Sequence, residues 1–241
     1  MLKPKRKEWV LLGAGAVLSA LFLAMAGCTP GAARGPGAAI TTGDMERVAV
    51  VGFRSALSPG EPSGVVRDPL TGSIFHAEPV PERVVRRMTR ALMDRLTQRG
   101  GFVWLPPGQV RGVISAVVGE DRGLSLNSRQ MLQAVGRALR ADGILVGHVY
   151  RWKDRAGTDY AVNRPASVAF DLLLVRTRDG RVLWRDKYDK TQRSLSENIL
   201  DFSTFFRGGG KWMTAEELVL MGLGRVLSRM PGPDPDKGRE E

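Results

Sequence analysis

An α/β domain on a mixed sheet, with flanking helices and a β-hairpin toward its carboxyl side, is predicted by three features of the chain. Residues 47–53 (RVAVVGF) form a short, almost continuous β-branched run, the pattern of a strand covered on both faces. Residues 78–99 carry an apolar stripe at helical spacing. Residues 166–191 hold two apolar runs joined at Arg178-Asp179-Gly180, which is a hairpin signal. A single domain of two or three layers accommodates these elements.

Residues 47–53 should lie centrally in the sheet. The Gly- and Pro-rich residues 54–77 read as a long loop leaving the carboxyl end of that strand. A loop of this length in a compact domain is functional or disordered. Ligands gather beyond the carboxyl ends of strands in open α/β sheets, so Arg67, Asp68 and His76 are its ligand candidates. The helix over 78–99 buries Val84, Met88, Ala91, Leu92 and Leu96, and Gly100-Gly101 stop it. Its opposite face carries Arg83, Arg86, Arg87 and Arg90. A solvated face is expected, and an interaction surface for membrane or phosphate is the alternative. Residues 102–105 form a second strand, closed by Pro106-Pro107.

Asn127 and Gln130 have N-cap and N3 spacing, and Leu126 with Met131 that of a hydrophobic staple. The helix they start buries Met131, Val135 and Leu139 and ends at Ala141-Asp142-Gly143. A strand over 144–152 follows, with Ile144, Val146, His148, Tyr150 and Trp152 on one face. On such a row His148 is expected to be structural. In the hairpin, a three-residue loop with Gly180 in the left-handed region pairs Thr177 with Arg181. Leu174 then faces Trp184, Leu172 faces Asp186, Phe170 faces Tyr188 and Asp171 lies opposite Lys187 as an opposite-charge pair. Two helices close the domain, one over 195–206 from Ser194 and Glu197, the other from Thr214 and Glu217 to about Arg229 with Met213 and Leu218 as its staple. Between them, residues 207–212 (RGGGKW) lack the leading Gly and the Ser or Thr of a phosphate loop, so they read as an interhelical loop offering Lys211 and Trp212 to a partner.

The first thirty residues carry an address. Lys3, Lys5, Arg6 and Lys7 precede about 18 uncharged, mostly apolar residues, the shape of a secretory signal. A transmembrane anchor is the alternative for a run of that length. Leu23-Ala24-Met25-Ala26-Gly27-Cys28 decides between them, because it resembles the bacterial lipobox, with Met25 in place of the usual Leu. That resemblance implies cleavage after Gly27 and acylation of Cys28 on its sulfur and its new amine. Thr29 stands where many such lipoproteins carry an Asp for inner-membrane retention, which implies the outer membrane, periplasmic side. The expected organisation is a signal peptide over 1–27, an acylated Cys and flexible tether over 28–43, a domain over 44–231 and a disordered tail over 232–241.

Composition narrows the function. The 241 residues include 36 Lys plus Arg, 25 Asp plus Glu, two His and one Cys. One Cys excludes a disulfide scaffold or a Cys-cluster zinc site, and two His leave little for a His-based centre, so no metal and no cofactor are expected. Dinucleotide, nucleophile-elbow and His-Glu-x-x-His motifs are missing from the sequence, and a Ser-His-Asp triad would need His76 or His148, neither with a Ser proposed by its neighbourhood. An enzyme is not expected. Removing the signal lowers the formal charge from +11 to about +8. An exported basic protein meets lipid headgroups and envelope proteins rather than nucleic acid, so the expected partners are the membrane, through the anchor, and an envelope protein or a second copy.

This order of elements behind a lipid anchor resembles the periplasmic α/β domain shared by the curli secretion lipoprotein CsgG, the penicillin-binding-protein activator LpoB and the amino-terminal domain of TolB. The matching residues are 47–53, the helix end at Gly100-Gly101, 141–147 (ADGILVG) and 179–184 (DGRVLW), within residues 45–190. The resemblance implies a non-catalytic interaction module in envelope assembly or cell-wall enzyme regulation. A subunit of a CsgG-like export complex is the alternative, and a periplasmic enzyme with an unrecognised site the second. A pore former needs hairpins with strands of about 9–11 residues. Residues 109–119 are too short for a pair of these, and 166–191 are needed in the core. A tether of about 15 residues also departs from the long tether of LpoB, keeping the domain close to its membrane.

Overall fold

The computed structural model describes residues 42, 45–120, 127–158, 162–192 and 212–233, with 118–120 as backbone alone. In chain order the elements are β1 (Arg47–Ser55), β2 (Gly64–Arg67), β3 (Ile74–Ala77), α1 (Glu82–Arg99), β4 (Val103–Leu105), α2 (Pro107–Glu120) and α3 (Ser128–Ala138). There follow β5 (Gly143–Lys153), β6 (Ala156–Gly157), β7 (Val162–Arg164), β8 (Ser167–Arg176), β9 (Val182–Thr191) and α4 (Ala215–Leu227). The main sheet runs β4-β1-β5-β8-β9. β1 is parallel to both β4 and β5, while β8 and β9 are antiparallel additions, so the sheet is mixed as expected.

Burial follows from this order. β5 and β8 are covered on both faces and read as nearly unbroken apolar runs. α1 and α4 cover one face, packing Met88, Leu92, Leu218 and Leu223 on Val48, Leu145, Leu172 and Leu174. α2 and α3 cover the other with Val110, Leu132 and Val135 against Ala49, Ile144, Val146 and Leu173. The β2–β3 hairpin extends this second layer, seating Phe75 and Val66 over Tyr150 and Ala169. The result is a three-layer α/β domain. Edge strand β4 is three residues long and β9 is rich in charge, two devices that discourage edge pairing. Among the described residues no helix is long and apolar enough to cross a membrane.

Side chains set the register. The Asp142 carboxylate accepts from the backbone N–H groups of Glu46 and Arg47 at 3.0 and 2.9 Å, fixing the start of β1 against β5. A bulge at Gly52, φ +85°, frees the Phe53 N–H to donate to Thr89 Oγ1 at 2.9 Å, and a Cβ on Gly52 would lie 2.5 Å from the Thr89 methyl. α1 therefore rests directly on the β1 backbone. Both expected N-caps form complete capping boxes, Asn127 with Gln130 and Thr214 with Glu217. Met213 and Leu218 are both buried, as a staple requires.

Several expectations are corrected. Residues 54–77 are not one loop: β2 and β3 pair within them, because Asp68 builds the turn, its Oδ1 accepting from the N–H groups of Leu70 and Thr71 at 2.8 Å each. α1 begins at Glu82, since Pro81 is its extended N-cap. Pro107 does not end structure but opens α2, where the missing N–H costs nothing, and this helix was not expected. α3 buries Leu132, Val135 and Gly136, while Met131 and Leu139 are only half-buried. A bulge in β5 between Val149 and Arg151 turns Trp152 to the opposite face from Tyr150, where it meets the α1–α4 side of the core. The expected staple residue Leu126, the helix over 195–206, Lys211 and nearly all of the tether and tail lie outside the described residues.

The β8–β9 register is the expected one, with Leu174 opposite Trp184, Leu172 opposite Asp186, Phe170 opposite Tyr188 and Asp171 opposite Lys187. Its loop closes one step earlier than expected. Arg176 donates to the Arg181 carbonyl and accepts from the Gly180 N–H, and a bulge near Val182 restores the register. Asp179 accepts from the Arg181 N–H at 3.1 Å and from Arg176, whose hydrogen bond holds its carboxyl at about 2. Gly180 has φ +66°. Replacing it by Val forces a β-branched residue into the left-handed region and should cost about 1–2 kcal/mol, read as a lowered urea midpoint at unchanged m-value.

Candidate functional site

Asp171 stands in the middle of β8, fully buried in a strand otherwise apolar on both sides. A carboxylate in that position requires compensation. Arg185 on β9 supplies it, donating from Nη2 and Nε to Asp171 Oδ2 at 2.8 and 3.2 Å. The Tyr150 hydroxyl donates to the same oxygen at 3.0 Å. On the other oxygen, His148 Nδ1 lies 3.2 Å from Oδ1. Burial first, and then the charge of Asp171, push the Tyr150 phenol far above its ordinary range, so it remains a donor. The expected Asp171 and Lys187 ion pair is corrected: the two are in register, but Lys187 is exposed and the guanidinium of Arg185 takes the carboxylate.

The hairpin completes this cluster. Arg185 Nη1 donates to Thr71 Oγ1 at 3.0 Å and also to Ser73 Oγ, while its guanidinium carbon lies 5.1 Å from the centre of the Phe75 ring. Phe75 stacks on Tyr150 at 3.9 Å. Asp68 enters from the same turn, its Oδ2 3.7 Å from His148 Nδ1 and without a hydrogen-bond partner. Asp68, His148 and Tyr150 line a cavity of about 260 Å³ beneath α2 and α3. Asp68, His148 and Asp171 each offer one metal-ligating atom, all within 4.8 Å of one another.

Of the sequence candidates, Asp68 alone joins the cluster. Arg67 is exposed and donates to the Gly72 carbonyl, but it too lines the cavity, whereas His76 is exposed on the hairpin's outward face. His148, read as structural, is held by a carboxylate as that reading requires, yet it also faces the cavity. Arg86 pairs with Glu82 at 3.6 Å and Arg87 with Glu216 of α4 at 3.1 Å; Arg90 is exposed. Arg83 and Arg87 line a second cleft of about 430 Å³ with Trp152, Lys153 and Arg164. Trp212 is half-buried, its carbonyl taken by Arg155. Arg185, Thr71 and Ser73 escaped sequence reading, and Tyr150 was read only as a member of its strand row. The available signal was Asp171 itself, a lone carboxylate inside SVAFDLLLVR.

Arg185→Met leaves Asp171 buried without its cation and should cost about 3 kcal/mol, whereas Tyr150→Phe removes one of several donors and should cost about 1 kcal/mol. Urea titrations of the two variants, each folded by circular dichroism, check the order.

No family model matches the chain, and no curated protein matches it significantly in sequence. Solved structures give partial likenesses. The LpoB carboxyl-terminal domain from Salmonella enterica is 15% identical over 61% of this chain and 83% of that one, with a TM-score of 0.34. Lipoprotein GNA1162 from Neisseria meningitidis is 14% identical over 67% and 91%, with a TM-score of 0.38. The PelC dodecamer from Paraburkholderia phytofirmans is 15% identical over 80% and 91%, with a TM-score of 0.39. At these levels of identity and overlap, function has to be read from this chain's own residues.

Proposed function

We propose that the chain is an outer-membrane lipoprotein, held on the periplasmic side by acylated Cys28, whose α/β domain is a non-catalytic interaction module in envelope assembly or cell-wall enzyme regulation. The observation that carries this is the run Leu23-Ala24-Met25-Ala26-Gly27-Cys28 behind a basic, then apolar, leader, with the chain's single Cys at its end. Each buried acyl methylene contributes about 0.8 kcal/mol, so two or three chains on Cys28 hold the domain durably where one would not.

The domain's surface supports an interaction role. The outward face of the β2–β3 hairpin presents Val65 and Ile74, 73% and 61% exposed, beside Arg67 and His76. Apolar side chains rimmed by polar ones suit an envelope protein or a second copy of the chain.

Cys28→Ala should release the protein from membrane fractions or leave it unprocessed, with loss of acyl labelling; labelling that survives the substitution ends the lipoprotein reading. Size measurement after detergent extraction tests the module reading. A monomer or dimer fits it, and a ring of eight or more subunits would replace it with an export assembly.

A further inference from the structure

Two buried carboxylates, Asp68 and Asp171, meet one guanidinium, Arg185, and one imidazole, His148. Arg185 and Tyr150 both address Asp171 Oδ2, leaving Oδ1 to the His148 side. Asp68 is anchored through Oδ1 by two backbone N–H groups, while Oδ2, on a side chain with no solvent exposure, has no hydrogen-bond partner. A buried carboxylate oxygen left in this way, beside a ring nitrogen and a second carboxylate oxygen, is the arrangement a cation completes.

We propose that Asp68 Oδ2, His148 Nδ1 and Asp171 Oδ1 form a binding site for a divalent cation of the zinc type. Tetrahedral zinc with bonds of about 2.0–2.2 Å places its ligand atoms about 3.3–3.6 Å apart. His148 Nδ1 is 3.2 Å from Asp171 Oδ1 and 3.7 Å from Asp68 Oδ2, and the three residues each bring one ligating atom within 4.8 Å of the others. Rotation of the Asp68 carboxylate about its anchored oxygen would bring Oδ2 from 3.7 Å toward that tetrahedral spacing from His148 Nδ1. Arg185 and Tyr150, donating to the far oxygen of Asp171, orient that ligand as an outer shell. The cavity lined by Asp68 and His148 provides room for a fourth ligand, a water or an incoming carboxylate. A mixed nitrogen and oxygen donor set selects zinc over magnesium, which prefers six oxygens. The ion would join the hairpin turn to β5 and β8, and so hold the exposed hairpin face in place. This holds whether or not Cys28 is acylated.

The test uses the full-length chain in detergent, stripped with a chelator and dialysed against zinc chloride, with bound metal measured by elemental analysis. One zinc per chain is expected, with micromolar or tighter affinity and much weaker binding of magnesium. Asp68→Asn and His148→Gln should weaken zinc by at least about 100-fold, the upper end of losses from outer-shell changes. His76→Ala should leave it unchanged, and because the chain has only two His it is a clean control. A measurement on the unmutated chain covers variants that do not fold: zinc should shift the ring resonances of His148 and not those of His76 in proton NMR, and cobalt should give the visible bands of a four-coordinate site. Absence of stoichiometric zinc, equal binding of magnesium, or affinity that follows His76 would overturn the proposal.

Discussion

A single buried carboxylate in the middle of the sheet organises the second layer of this domain. Asp171 occupies a strand with cover on both faces, and the energy of leaving it uncompensated exceeds that of any surface ion pair in the molecule. Its partners come from the two neighbouring strands: His148 and Tyr150 from β5, and Arg185 from β9. Arg185 in turn reaches Thr71 and Ser73, and Tyr150 carries Phe75. The β2–β3 hairpin is thus attached through the same group that the sheet had to satisfy. A two-stranded hairpin alone is marginal in water, so this attachment explains why residues 64–77 are ordered at all.

The opposite layer is held by ordinary means. α1 and α4 meet the sheet through aliphatic side chains, and the approach of α1 is set by the glycine at the β1 bulge. Arg87 with Glu216 adds an exposed bridge between the two helices, worth little beside the burial of Met88, Leu92 and Leu218. One face is therefore a helical layer packed through apolar side chains, with an open cleft beside α1, and the other a layer built around a buried carboxylate.

Much of the frame was legible in the sequence, because it depends on local chemistry. The two capping boxes, the opening strand and the β8–β9 register each rest on residues within a few positions of one another. The unexpected elements are those where local signals mislead. Pro107 reads as a terminator and serves as a helix start, and the Gly- and Pro-rich stretch before residue 78 conceals a hairpin whose strands are four residues each. The cluster was legible only in part. Asp68 was singled out from its loop, and His148 was seen on its strand. That residues 68, 148, 171 and 185 converge depends on pairings between strands far apart in the chain, and two bulges shift which side chains face which layer. Spacing in the sequence carries no trace of such an assembly.

The two ends of the described domain also meet. The Thr42 hydroxyl donates to the carbonyl of Gly232 at 2.6 Å, and Arg99 adds hydrogen bonds to the carbonyls of Leu227 and Met230 just before it. Beyond Thr42 the chain soon enters β1, which lies between β4 and β5 rather than at an edge of the sheet. A mechanical load applied at the amino-terminal side of the domain first strains this closure. To go further it must break two ladders at once, since an interior strand cannot be peeled away one bond at a time.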